Sequence, residues 1–106
     1  MSFANTLNRR VRILAPLVGE GTSGEQITTW PELATIWANV RFLGGLETLR
    51  AGAVTATTKA SVRIRRRADV TAAMRLVYDG VTYDIKSVQP DDRRVWIDLV
   101  CESVPA

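Results

Sequence analysis

The sequence predicts a small, mainly β protein, an antiparallel barrel or sandwich with one long loop and a short helix. Three observations carry that expectation. Apolar residues recur at every second position through most of the chain, the period of a strand with one buried face. Turn formers and prolines separate these stretches at short intervals, and Asp79-Gly80 is the plainest case, because a two-residue hairpin turn needs positive φ values that Asp and Gly tolerate. About seven such strands account for most of the chain and leave little room for helix.

The first strand is expected over residues 9–15, where Val11, Ile13 and Ala15 alternate with Arg10, Arg12 and Leu14 until Pro16 ends the run. Residues 18–24 read as a polar, glycine-rich turn, and residues 26–30 as a second strand stopped by Pro31. The two together suggest a hairpin. From Ala34 onward, Ala34, Ile36, Ala38, Val40 and Phe42 fall on one face, while Thr35, Trp37, Asn39 and Arg41 fall on the other. Val62 and Ile64 alternate with Arg63 and Arg65 in the same manner, and residues 74–78, 82–88 and 94–101 complete the set. The expected core face is Ile36, Val40, Ile64, Ile85, Ile97 and Leu99. Two stretches interrupt the pattern. Residues 46–51 suit one or two helical turns with Gly52 past the end, inside a long excursion over residues 44–60. Residues 69–73 read as a turn, or as a single helical turn capped by Asp69.

A chain of 106 residues, 46% hydrophobic and 24% charged, fits one domain with a modest core, and burial in an oligomer would supplement that core. The N-terminus has no basic region followed by an apolar stretch, and no apolar run approaches a membrane span, so a soluble, cytoplasmically made protein is expected. The chain has no His, which excludes imidazole chemistry, and its single Cys101 excludes a multi-cysteine zinc site. Cys101 alternates with Val95, Ile97 and Leu99, the placement of a buried structural thiol. Asp91-Asp92 follows Pro90 in a predicted turn and reads as turn chemistry. The spacing of Gly19, Gly21 and Gly24 formally matches a dinucleotide fingerprint, but no helix follows it. Neither an enzyme nor a cofactor or metal is expected.

Binding residues are better represented. The net charge of +3 tilts mildly towards the second half of the chain, with five Arg against four Glu in residues 1–58 and nine Lys or Arg against seven acids in residues 59–106, and there Arg63, Arg65 and Arg67 share one strand face that phosphates of a nucleic acid would fit. No aromatic residue interrupts that strand to stack bases. Trp30 before Pro31 reads as a structural cap. Trp37 and Trp96 are out of phase with the apolar set and share their faces with charged residues, which suits an interface; a bulge would turn either one into the core.

Short signatures run in order along the chain: Leu7-Asn8-Arg9-Arg10-Val11, Ala34-Thr35-Ile36-Trp37-Ala38, Gly45-Leu46-Glu47, Val62-Arg63-Ile64-Arg65-Arg66, Met74-Arg75, Tyr83-Asp84-Ile85-Lys86-Ser87-Val88 and Leu99-Val100-Cys101-Glu102. In their order and spacing the chain resembles the head-tail joining, or head-closure "stopper", proteins of tailed bacteriophages. The resemblance implies a β-barrel and a noncatalytic role in the virion neck, assembled in the cytoplasm of the bacterial host. It further implies a dodecameric ring that docks below the portal and adaptor proteins, meets a tail-terminator or tail-completion protein, and touches packaged DNA nonspecifically, without a membrane. The channel loop carried over by position contains Gly44, Gly45, Arg50, Gly52, Thr55, Thr57 and Lys59. Trp37, Arg41 and Trp96 are the expected interface, and a prophage or gene transfer agent protein would look the same. The competing reading is a small nucleic-acid-binding β-barrel acting through Arg63, Arg65 and Arg67.

Overall fold

In the computed structural model, which describes residues 7–43 and 57–104, the chain forms β1 (Arg9–Leu14), β2 (Leu17–Glu20), β3 (Gln26–Thr29), β4 (Glu32–Leu43), β5 (Lys59–Arg65), β6 (Arg75–Tyr78), β7 (Val81–Pro90) and β8 (Trp96–Ser103). Six of these close into an antiparallel barrel in the order β1-β4-β5-β8-β7-β6, sealed where β6 pairs with β1. The remaining two, β2 and β3, pair only with each other as a separate ribbon. The structure therefore resolves the barrel-or-sandwich alternative in favour of the barrel.

Closure follows from the alternation, because inward rungs join apolar side chains across neighbouring strands. Ala38, Ile64 and Ile97 lie in register on β4, β5 and β8, and Val62, Leu99 and Val88 do so on β5, β8 and β7. Ala60, Cys101 and Ile85 form another rung, and Ile13, Leu76 and Tyr83 a fourth. Ile13, Ile64, Leu76 and Leu99 are wholly buried, and burying each such side chain contributes roughly 1.5–3 kcal/mol. A register shift between Ile85 and Ser87 inserts Lys86 as an extra residue, so that Ile85 and Val88 both reach the interior. Val70 also joins the core from the turn after β5.

Most of the expected core face lies inside. Ile64, Ile85, Ile97 and Leu99 are buried, and Ile36 and Val40 are partly buried against them. Phe42 departs from this pattern: it is 52% exposed, and its ring lies 6.4 Å from Tyr78. The turn on which the sequence is clearest forms as expected. Asp79 and Gly80 have φ values of 53° and 76°, and β6 and β7 pair directly across them.

The expected hairpin between the first two strands is corrected. β1 pairs with β4 and β6, and residues 17–20, the last three of which fall in the turn expected over residues 18–24, form a strand of the ribbon. Pro16 and Pro31 explain the break, since neither can donate a ladder hydrogen bond. The Ala15 amide donates to the Pro31 carbonyl at 3.0 Å, which pinches the chain between barrel and ribbon. At the ribbon tip, the Gly24 amide donates to the Gly21 carbonyl at 3.0 Å, and Gly24 takes a φ of 83° that favours glycine. No helix occurs among the described residues; the helical turn expected at residues 46–51 lies outside them. Residues 69–73 form turns rather than a helical turn, and the Asp69 carboxylate is engaged by Arg67.

Candidate interaction surface

The outward half of the alternation builds a row in which arginine and tryptophan alternate across four adjacent strands. Arg10 on β1 is in register with Trp37 on β4, and Arg65 on β5 is in register with Trp96 on β8. Trp37 and Arg65 adjoin because their neighbours Ala38 and Ile64 are themselves paired. The Arg10 guanidinium carbon lies 4.7 Å from the centre of the Trp37 ring, and that of Arg63, on the next outward rung, lies 4.7 Å from Trp96. Each contact at an exposed site contributes about 0.5–1 kcal/mol. Trp37 is 52% exposed, whereas Trp96 is partly buried. Arg41 points outward on the same face of β4, in register with Ser61.

The three arginines of the basic strand have different surroundings. Arg63 donates Nε and Nη2 to the two carboxylate oxygens of Asp98 at 2.8 and 3.0 Å, and this hydrogen bonding raises its pKa despite the opposing effect of burial. Arg67 grips Asp69 in the same bidentate way, at 3.1 and 2.9 Å, and its pKa is likewise raised by that hydrogen bonding. Arg65 stands exposed between the two tryptophans. Together with Leu7, Thr35, Ile36, Trp37 and Arg67 it lines a cleft of about 290 Å³. Apolar side chains and cationic heads therefore meet at one place on the barrel wall.

Other expected residues fall elsewhere. Trp30 is partly buried beneath Arg75, whose guanidinium carbon is 4.2 Å from its ring centre and whose Nε donates to Asp84 at 2.9 Å. Of the loop residues, Gly44, Gly45, Arg50, Gly52 and Thr55 lie outside the described residues. Lys59 belongs to β5, with Nζ 3.8 Å from the Glu102 carboxylate, and Thr57 is half-buried just before that strand. Asp91 organises the turn between β7 and β8 by accepting from the amides of Arg93, Val95 and Trp96 at 3.1, 2.8 and 3.1 Å. Desolvation works against its charge, but these amides outweigh it and hold the carboxyl below the ordinary range. Cys101 is fully buried, and burial pushes its thiol up to about 12. No group of His, Cys, Asp or Glu fit to hold a metal occurs among the described residues, and no helix there is long and apolar enough to cross a membrane.

Sequence reasoning singled out the tryptophans but missed Arg10 and Asp98, which set the environment of Trp37 and Arg63. Strand register brings these partners together, and local spacing carries no signal for a neighbour on another strand.

Compared with known proteins, the chain matches the phage head completion protein family over residues 4–104. No curated protein matches it. Among solved structures, a protein of Shigella flexneri 2a determined in solution is 25% identical over 96% of this chain and 96% of its own, with a TM-score of 0.74. A chain in the virion of a native gene transfer agent particle is 18% identical over 94% of this chain and 97% of its own, with a TM-score of 0.71, and shares the fold.

Proposed function

Because the chain belongs to the phage head completion protein family, a family of structural head proteins, we propose that it works as a noncatalytic neck component of a phage, prophage or gene transfer agent particle. Copies form a ring below the portal and its adaptor, dodecameric as the family resemblance implies. The ring continues the DNA channel and offers the surface on which the tail or its completion protein is seated. The family match over nearly the whole chain carries this reading. The outward Arg-Trp row supports it, because tryptophan and arginine are the residues enriched at interface hot spots. Trp37 is its exposed member on β4, Arg41 lies exposed farther along the same face of that strand, and Trp96 with Arg63 forms the neighbouring wall.

In this proposal the loop between β4 and β5 faces the channel, where Arg50 attracts DNA without reading its bases, with Lys59 at its foot on β5 beside Glu102. The nucleic-acid-binding barrel draws less support, since Arg63 and Arg67 are already engaged by Asp98 and Asp69. Particles produced without this protein should contain DNA-filled heads that leak or fail to acquire tails, and the intact gene should restore them. A chain lacking residues 54–57 should fold yet give the same leaking or tailless particles. Normal infectious or transducing particles in the absence of the protein would overturn the neck assignment. Normal particles carrying the shortened chain would remove the channel-loop role alone.

A further inference from the structure

The β2–β3 ribbon is built to be covered, and its chemistry selects the cover. Every residue of both strands is exposed, including Leu17 at 61%, Val18 at 59% and Ile27 at 44%. An isolated two-stranded ribbon is marginally stable in water, so burial of such side chains by a partner would stabilise it. Its charge has one sign: residues 15–40 contain Glu20, Glu25 and Glu32 but no Lys or Arg. Glu32 is taken by Arg12 at 2.7 Å. Glu20 and Glu25, which flank the ribbon tip, form no ion pair among the described residues.

The Trp37 cleft is the complement of that ribbon. Leu7, Ile36 and Trp37 supply apolar lining, while Arg10 and Arg65 supply positive charge beside Trp37. No ribbon residue lines the cleft of its own chain. We propose that the ribbon of one copy docks on the Trp37 cleft of a second copy through the face that carries Val18, Glu20 and Thr28, with Val18 against Trp37 and Glu20, joined by Glu25 at the tip, facing Arg10 and Arg65. Such a contact joins two different patches of the same chain. It is heterologous, the kind that closes into a ring when the rotation between neighbours fits, and it rests on the ring assembly proposed above.

Charge exchange tests the contact. One variant carries Glu20→Lys with Glu25→Lys, and the other Arg10→Glu with Arg65→Glu; both should stay folded, because all four residues are exposed, although the second gives up the Arg10–Trp37 contact and should melt slightly lower. Each alone should lose self-association, read by sedimentation and by incorporation into particles, by roughly tenfold or more. An equal mixture should recover it, since each variant then offers the charge that the other needs. A chain with Thr28→Cys and Thr35→Cys should also give an intermolecular disulfide ladder in assembled particles, with buried Cys101 out of reach.

Unchanged assembly of both charge variants, no recovery on mixing, or cross-links to another virion protein instead of a ladder would each overturn the docking while leaving the ring intact. Particles that hold the protein only as single, unneighboured copies would instead overturn the ring itself. Association that resists charge exchange but is abolished by nuclease would assign the cleft to DNA and likewise remove the second copy as its occupant.

Discussion

The barrel and the ribbon use the same vocabulary of valine, leucine, isoleucine and threonine, but their strands are paired differently. In the barrel each strand has two neighbours, so no ladder edge is left open and the inward residues are lost to solvent almost entirely. In the ribbon each strand has one neighbour and one open edge, and neither face is covered. β-forming composition is thus common to both, and only closure converts it into a core. The barrel should govern stability and the ribbon association.

The largest expected effect is in the barrel. Ile97→Ala removes a side chain that is 3% exposed at the rung with Ile64, and should cost about 2–5 kcal/mol in denaturant unfolding. A near-neutral result would mean that β8 does not seal the interior.

Alkaline pH should come next. Cys101 is expected to ionise at about 12 when folded, against an ordinary 9.0. Its contribution is therefore fully present below about 9 and is lost as pH rises from there towards 12, by up to about 4 kcal/mol. Tyr83 is also pushed up, chiefly by burial, and acts in the same direction at higher pH. Unfolding midpoints measured at mildly and strongly alkaline pH should separate less in Cys101→Ala than in the parent, and an equal separation would exclude the thiol.

A smaller change is expected for Asp91→Ala, which deprives three amides of their acceptor. The melting temperature should fall modestly, and the Arg93, Val95 and Trp96 amides should exchange faster. Because this carboxyl is held low when folded, its stabilising effect is present at neutral pH and fades as acid protonates it. Unchanged exchange at those amides would contradict the turn geometry.

The smallest effect belongs to the ribbon. Ile27→Ala should alter stability by no more than about 0.5 kcal/mol, since the side chain is 44% exposed. A loss comparable to that of Ile97→Ala would erase the distinction between the two regions.

The sequence revealed strands wherever one face was to be dry: Val62 with Ile64, and Ile97 with Leu99, alternate in the chain as they do in the barrel wall. It was less informative where neither face, or an unusual face, was dry. The ribbon strands have no inside, so Val18 to Glu20 merge in the sequence with the glycine-rich turn. Phe42 kept the inward phase of β4 but is half exposed beside Tyr78. Val70 was concealed inside a turn, where a lone apolar residue has no period to betray it. The alternation leaves Trp37 open between interface and core, and the structure puts it on the outside; the arginines stacked or aligned beside it depend on pairings between strands distant in the chain.

The place of β8 bears on how the protein is made. Among the described residues it is the last strand in chain order, yet it lies between β5 and β7, and the seam requires residue 12 to find residue 77. A nascent chain halted after Pro90 would present two raw edges where Trp96–Ser103 belong, and the barrel could not yet be shut. Folding must wait for the final strand and then proceed through distant pairings, which puts it among the slower small topologies. Until then, the apolar inner faces of the other strands stay open to solvent, the condition in which incompletely folded chains aggregate.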